Sequence, residues 1–337
     1  MATEQKVFRA RRNKRNILEL YLEGELITIQ HLKGRNDIRQ EKIAQTYLSK
    51  DISDYPSPVE FHITEVAHVT NKKSLEDIWE SEGFKDPDGS SLSWWSMKIN
   101  EADIRAAEEH YLEKLFPEIT KEEKTADPPF LSKFTTSPVF LNETSRYGNF
   151  RFTFPLTELM EAYKKQECDG QDPVLRIYET KLFKQEIEYV VLVHSPEFNK
   201  TFNHFPELKS NPLVSYDGHQ IIWTAQAICE THNFQLAIRG KTAVPEPLDS
   251  HVRYVWDQVS LAFHSKDVLT FPKRKLKASL SCCELDPSVK LAYNEKHISL
   301  DDAKKCIESL QNDDEKEHEK EDEKEEHKSV EVKMEED

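Results

Sequence analysis

The stretch from Val174 to His194 limits the fold of this chain more than any other. Val174–Phe183 and Glu186–His194 are two runs rich in Val, Ile, Leu, Tyr and Phe, and they read as adjoining strands. Side chains alternate along a strand. Glu186, Glu188, Val190 and Leu192 therefore share one face of the second run, and Ile187, Tyr189, Val191 and Val193 share the other. Both faces become apolar, so this strand is central in its sheet and carries two carboxylates at its start. Carboxylates in such a place are costly unless exposed or bonded.

A second informative unit runs from Phe61 to Phe84. Residues Val59 to Thr70 are rich in Phe, Ile, Val and Thr and read as strand. Ser74 with Asp77 three residues on resembles a capping box, and Leu75, Ile78 and Trp79 share one helical face. Gly83 is expected to end that helix in the left-handed conformation, with Phe84 folding back. Leu92–Ile99 then reads as a strand with Trp94 and Trp95 on opposite faces. Asn100 caps a helix to about Phe116, and Pro155 opens one whose buried stripe is Leu156, Leu159, Met160 and Tyr163. Gln220–Cys229 and Phe234–Ile238 read as a hairpin about Thr231-His232-Asn233, Tyr254–Phe263 as one more strand, and Ser299 with Asp302 as the cap of a final helix.

The ends differ in charge from the middle. Residues 1–16 hold six bases against Glu4, a localisation or anionic-surface signal or, more simply, a solvated arm. Ile17–Tyr47 reads as one or two helices packed on the body. The chain carries a net charge of −16, and the segment 312–337 holds 14 acids against five bases. That tail has too few apolar residues to offset its ordering entropy and is expected to be disordered. The remaining charge is ordinary for a soluble domain and argues against a general nucleic-acid binder, except through the basic arm. No apolar leader or membrane-length run is present, and the five cysteines lack metal-ligand spacing, so reduced thiols in an intracellular protein, cytoplasmic or nuclear, are expected.

Three places could carry chemistry. His68 and Thr70 point the same way on a strand and could hold the hydroxyls of a ribose, although His62-Ile63-Thr64 repeats the pattern six residues earlier. Thr135, Thr136 and Ser137 offer hydroxyls, while Tyr147 beside Gly148 offers an aromatic face with room for close approach. Glu186 and Glu188 could stabilise a sugar cation, and their mutual repulsion would raise one pKa.

In this order the three places resemble the ADP-ribosyltransferase fold, with His68-Val69-Thr70 as its His-x-Thr strand and Glu186-Ile187-Glu188 as its late Glu-x-Glu. Thr135-Thr136-Ser137, or Tyr147, stands at the middle element. Val69 departs from the Gly usual in the polymerase-like branch. The resemblance implies a split-sheet cleft for NAD, with His68 on the nicotinamide ribose, Tyr147 stacked on nicotinamide and one glutamate on the ribose 2′-hydroxyl. The expected architecture is α+β: a basic arm and helical extension over 1–55, a split β-sheet domain over 56–265, a C-terminal extension over 266–311 and the tail. The expected function is transfer of ADP-ribose from NAD to a macromolecular acceptor. The alternative is a non-catalytic protein-interaction module using exposed aromatics such as Trp94 or Trp95.

Overall fold

The computed structural model describes residues 6–13, 16, 18–38, 59–85, 92–122, 129–134, 138–140, 143–183, 186–209, 211–225, 234–247, 256–285 and 298–310. Its strands, in chain order, are β1 (Arg9–Arg12), β2 (Leu18–Glu23), β3 (Val59–Ile63), β4 (Glu65–Thr70), β5 (Gly83–Phe84), β6 (Leu92–Lys98), β7 (Thr144–Ser145), β8 (Phe150–Pro155) and β9 (Val174–Phe183). There follow β10 (Glu186–His194), β11 (Val214–Tyr216), β12 (Ile221–Ala225), β13 (Phe234–Arg239), β14 (Thr242–Pro247), β15 (Trp256–His264), β16 (Leu269–Thr270), β17 (Leu280–Cys282) and β18 (Glu284–Leu285). A nine-stranded sheet in the order β1-β2-β9-β10-β15-β6-β4-β8-β17 dominates an α+β architecture. β10 and β15 run parallel, and the other neighbours in this sheet are antiparallel. A three-stranded sheet, β11-β12-β3, continues into it where β3 passes through Thr64 into β4.

The strand pair from Val174 to His194 forms as its pattern requires. Phe183 pairs with Glu186 and Val174 with His194, and all nine residues of β10 are buried. One face of the sheet is the apolar core. There Phe84 meets Trp95, Phe152, Phe154 and Phe271 with ring centroids 4.8–5.9 Å apart, the spacing of favourable aromatic pairs. The helices Lys72–Glu80 and Leu156–Glu167 bury Leu75, Ile78 and Trp79 and the expected stripe from Leu156 to Tyr163 in that core. Helix Glu101–Leu115, held by a full capping box between Asn100 and Asp103, packs on β3 instead. A final helix over 300–310 starts at the Ser299 cap, whose hydroxyl accepts from the Asp302 amide.

Several expectations are corrected. The basic arm is an edge strand: Arg9–Arg12 pairs with β2, and the Arg11 guanidinium bonds Glu19 and Glu179. Positive side chains on an edge also discourage pairing with other chains. Leu18–Glu23 is a strand pairing with β9 rather than part of a helical extension; the described helix there is Ile29–Lys33. Because β1, β2 and β17 all join the nine-stranded sheet, this body reaches beyond both 56 and 265. The helix after β4 starts earlier than its sequence suggests, with Asn71 as N-cap accepting from the Ser74 amide. Gly83 is strand, and Glu82 takes the positive φ of 52°. Gly83 is needed for space: a Cβ there would lie 2.3 Å from the Leu269 carbonyl oxygen of β16. β12 pairs with β3 and β11, and β13 forms its hairpin with β14 about Gly240-Lys241.

Thr135, Thr136 and Ser137, the 51–58 and 86–89 turn regions, Thr231-His232-Asn233 and the 312–337 tail lie outside the described residues. No helix among the described residues is long and apolar enough to cross a membrane.

Candidate functional site

Paired residues in adjacent strands point to the same face, so the register decides which candidates can meet. Glu188 pairs with Gln258 of β15, Ser260 pairs with Ser96 of β6, and Ser96 pairs with Ala67 of β4. Ala67 therefore shares the face of Glu186, Glu188 and Ser260, and His68 with Thr70 takes the opposite one. Their surroundings agree with this. His68 sits edge-on to Phe84 at 5.2 Å and beside Trp95 at 5.4 Å, inside the aromatic core. Its Nδ1–H donates to the Trp94 carbonyl at 2.9 Å, where the β4–β6 ladder has ended. Burial in this apolar pocket lowers the His68 pKa and keeps the ring neutral. Thr70 is buried as well, its carbonyl covered by Gly148.

The other face carries a polar network. Glu186, only 2% exposed, accepts a forked pair of hydrogen bonds from Arg146 at 2.7 and 3.0 Å and another from Gln258. Glu188 meets the Lys181 ammonium at 2.6 Å and accepts from the Ser260 hydroxyl. The same ammonium lies 4.6 Å over the ring of half-buried Trp94. Forked Arg–carboxylate contacts are strong and directional, and each negative charge here has a cation beside it. The two glutamates titrate apart. Burial raises the Glu186 pKa against the pull of Arg146, whereas for Glu188 burial is overcome by Lys181 and Ser260, and its pKa falls.

Tyr147 does reach this face. Its ring lies 5.5 Å from the Arg146 guanidinium, within the electrostatic reach of both glutamates, and is 46% exposed. The loop that places it is clamped from the C-terminal side. The amides of Cys283 and Glu284 donate to the carbonyls of Asn149 and Glu143. Gly148 has a φ of 154°, and a Cβ there would lie 2.0 Å from the Thr70 carbonyl oxygen, so only glycine lets the loop cross β4 this closely.

The fold thus brings Tyr147, Glu186 and Glu188 together and leaves His68 and Thr70 on the far side of the sheet. No small ligand could touch His68 and Glu188 at once. Trp95 is fully buried and offers nothing to a partner, whereas Trp94 lies on the polar face. Sequence reasoning missed Lys181, Arg146, Gln258 and Ser260. Lys181 was accessible in principle, because antiparallel pairing of Phe183 with Glu186 sets 181 opposite 188. Arg146, 40 residues from Glu186, left no local signal. A cavity of about 770 Å³ opens on the same face between β4, β8, β17 and the 300–310 helix, lined by Glu65, Lys98, Glu143, Arg151, Lys304 and Glu308 among others. Its volume suits a small molecule, its walls mix charged side chains with Leu300 and Ile307, and it includes none of the expected site residues. No family model, curated protein or solved structure matches the chain.

Proposed function

We propose that this chain is a non-catalytic protein-interaction module, contacting its partner through the polar face around Tyr147 and Trp94. The observation that supports this reading is the register from β10 to β4, which separates His68 from Glu188 by the thickness of the sheet. Both glutamates, moreover, are occupied by internal cations. A carboxylate held by a buried lysine or arginine serves the frame of the fold before it serves a substrate. The half-exposed Tyr147 ring on the same face is an amphipathic side chain of the kind enriched in interfaces.

A second reading keeps ADP-ribosyl transfer from NAD to a macromolecular acceptor. It is favoured by one observation, the placement of Tyr147 beside the Glu186/Glu188 pair, and it requires NAD to lie on the polar face without His68 or Thr70. Calorimetry with NAD and incubation with labelled NAD separate the two. The interaction module shows neither heat nor automodification. Saturable NAD binding that is lost in Tyr147→Ala would overturn it in favour of the transferase.

A further inference from the structure

We propose that Glu60, His62 and His110 form a binding site for a divalent transition metal ion of the Zn²⁺ type. The site is separate from the polar face. On β3, Val59, Phe61 and Ile63 alternate into the core, which turns Glu60 and His62 to the other side by the period of two. Helix Glu101–Leu115 lies against this strand and buries Ala107 and Tyr111, and it brings His110 and Lys114, one turn apart, over Glu60. The His62 copy of the His-x-Thr pattern, not the His68 copy, is the one that gains polar partners of this kind.

One ligand atom from each of the three residues lies within 4.8 Å of the other two. Around a tetrahedral zinc with bonds of about 2.0–2.2 Å, ligand atoms sit about 3.3 Å apart, so small side-chain rotations close the set. His110 Nε2 and Glu60 Oε2 are already 3.0 Å apart, and the two imidazoles stand edge to face at 5.8 Å. The Gln220 side-chain amide lies 3.0 Å from His62 Nδ1, which leaves Nε2 as the ligand atom of that ring.

Two imidazoles and one carboxylate select transition metals over Mg²⁺ and Ca²⁺, which prefer all-oxygen surroundings. Three protein ligands also leave a fourth position for water, the pattern of an open rather than a closed zinc site. All three residues are half-buried, so an ion has a path in. In the metal-free protein the Lys114 ammonium, 2.7 Å from Glu60, holds the carboxylate ionised. Zn²⁺ would take its place. Lys114 would move, still protonated, into solvent on its flexible stem.

The test uses full-length protein stripped with a chelator, titrated with Zn²⁺ by calorimetry and with Co²⁺ by visible absorption. The tail holds His318 and His327 among many acids, so the informative quantity is the difference between wild type and variant. The wild type is expected to bind one equivalent more than His62→Ala/His110→Ala, and to show a cobalt spectrum with nitrogen ligands that the double variant lacks. Lys114→Met is expected to tighten this equivalent, because it removes the competing cation; a merely structural cluster would show no such gain. Thermal unfolding without metal checks that each variant folds, and Lys114→Met with the cobalt spectrum decides the matter if the double variant does not. Equal stoichiometry and affinity in wild type and double variant, or an unchanged or weakened affinity in Lys114→Met, overturns the site.

Discussion

Removing Arg146 leaves Glu186 buried without its cation, and the size of the loss can be worked from the structure. Glu186 is 2% exposed, and in Arg146→Met it keeps the Gln258 donor but loses the guanidinium. Breaking a buried ion pair from one side costs about 3–5 kcal/mol if the stranded charge persists. The carboxylate has an alternative, which is to bind a proton. For a group that titrates near 4.3 in the unfolded chain, holding that proton at pH 7 costs about 1.36 kcal/mol for each of about 2.7 pH units, or roughly 3.7 kcal/mol. Proton binding therefore sets the ceiling at pH 7. The ceiling falls by about 1.4 kcal/mol per pH unit, to about 1 kcal/mol at pH 5. The sign follows from linkage: a folded-state pKa raised above the unfolded value contributes stability that is present at low pH and lost as pH rises. Burial already raises the Glu186 pKa in the wild type, so the measured loss should lie below the ceiling. Urea denaturation followed by the fluorescence of Trp95 and Trp223, both buried, at pH 5, 6 and 7 gives the difference directly. Adding Glu186→Gln should recover much of the loss at pH 7. An Arg146→Met loss below about 1 kcal/mol at pH 7, or one that does not shrink toward pH 5, would refute the argument that this pair is buried and mutually dependent.

Two further outcomes follow from the same packing. Gly83→Val should lower the stability by about 1–3 kcal/mol, and the denaturation midpoint with it, because its side chain would collide with the Leu269 carbonyl and Val268; an unchanged midpoint would mean that β5 and β16 are not in contact. His68, whose pKa burial lowers, contributes stability that is present above about pH 6.5 and lost as pH falls below it, by up to about 1.4 kcal/mol per pH unit. His68→Leu should accordingly flatten the melting-temperature profile between pH 7 and 5, and parallel profiles for variant and wild type would show that the ring is not buried as described.

Local chemistry alone determined much of the fold. The strand pair about Lys184-Gln185, the caps at Asn100 and Ser299, the opposed faces of Trp94 and Trp95 and the buried stripe from Leu156 to Tyr163 all follow from periods of 2 and 3.6 and from side chains that bond the nearest backbone. The cap at Asn71 was misread because two polar candidates lay within a few residues of each other, and the strand geometry of Gly83 because one glycine can take two roles, between which pairing with β16 chose. The basic arm has no apolar period of its own. It becomes a strand because β2 offers an unpaired edge and Glu19 and Glu179 offer carboxylates for Arg11, the latter 168 residues away. The candidate site shows the same division. That His68 and Thr70 share a face, and that Glu186 and Glu188 share one, was legible from alternation. Whether those are the same face was not, because two strands, β15 and β6, stand between them. A slip of one residue at any of those ladders turns every side chain of a strand to the other side. Only the packing that sets all the registers together could decide it.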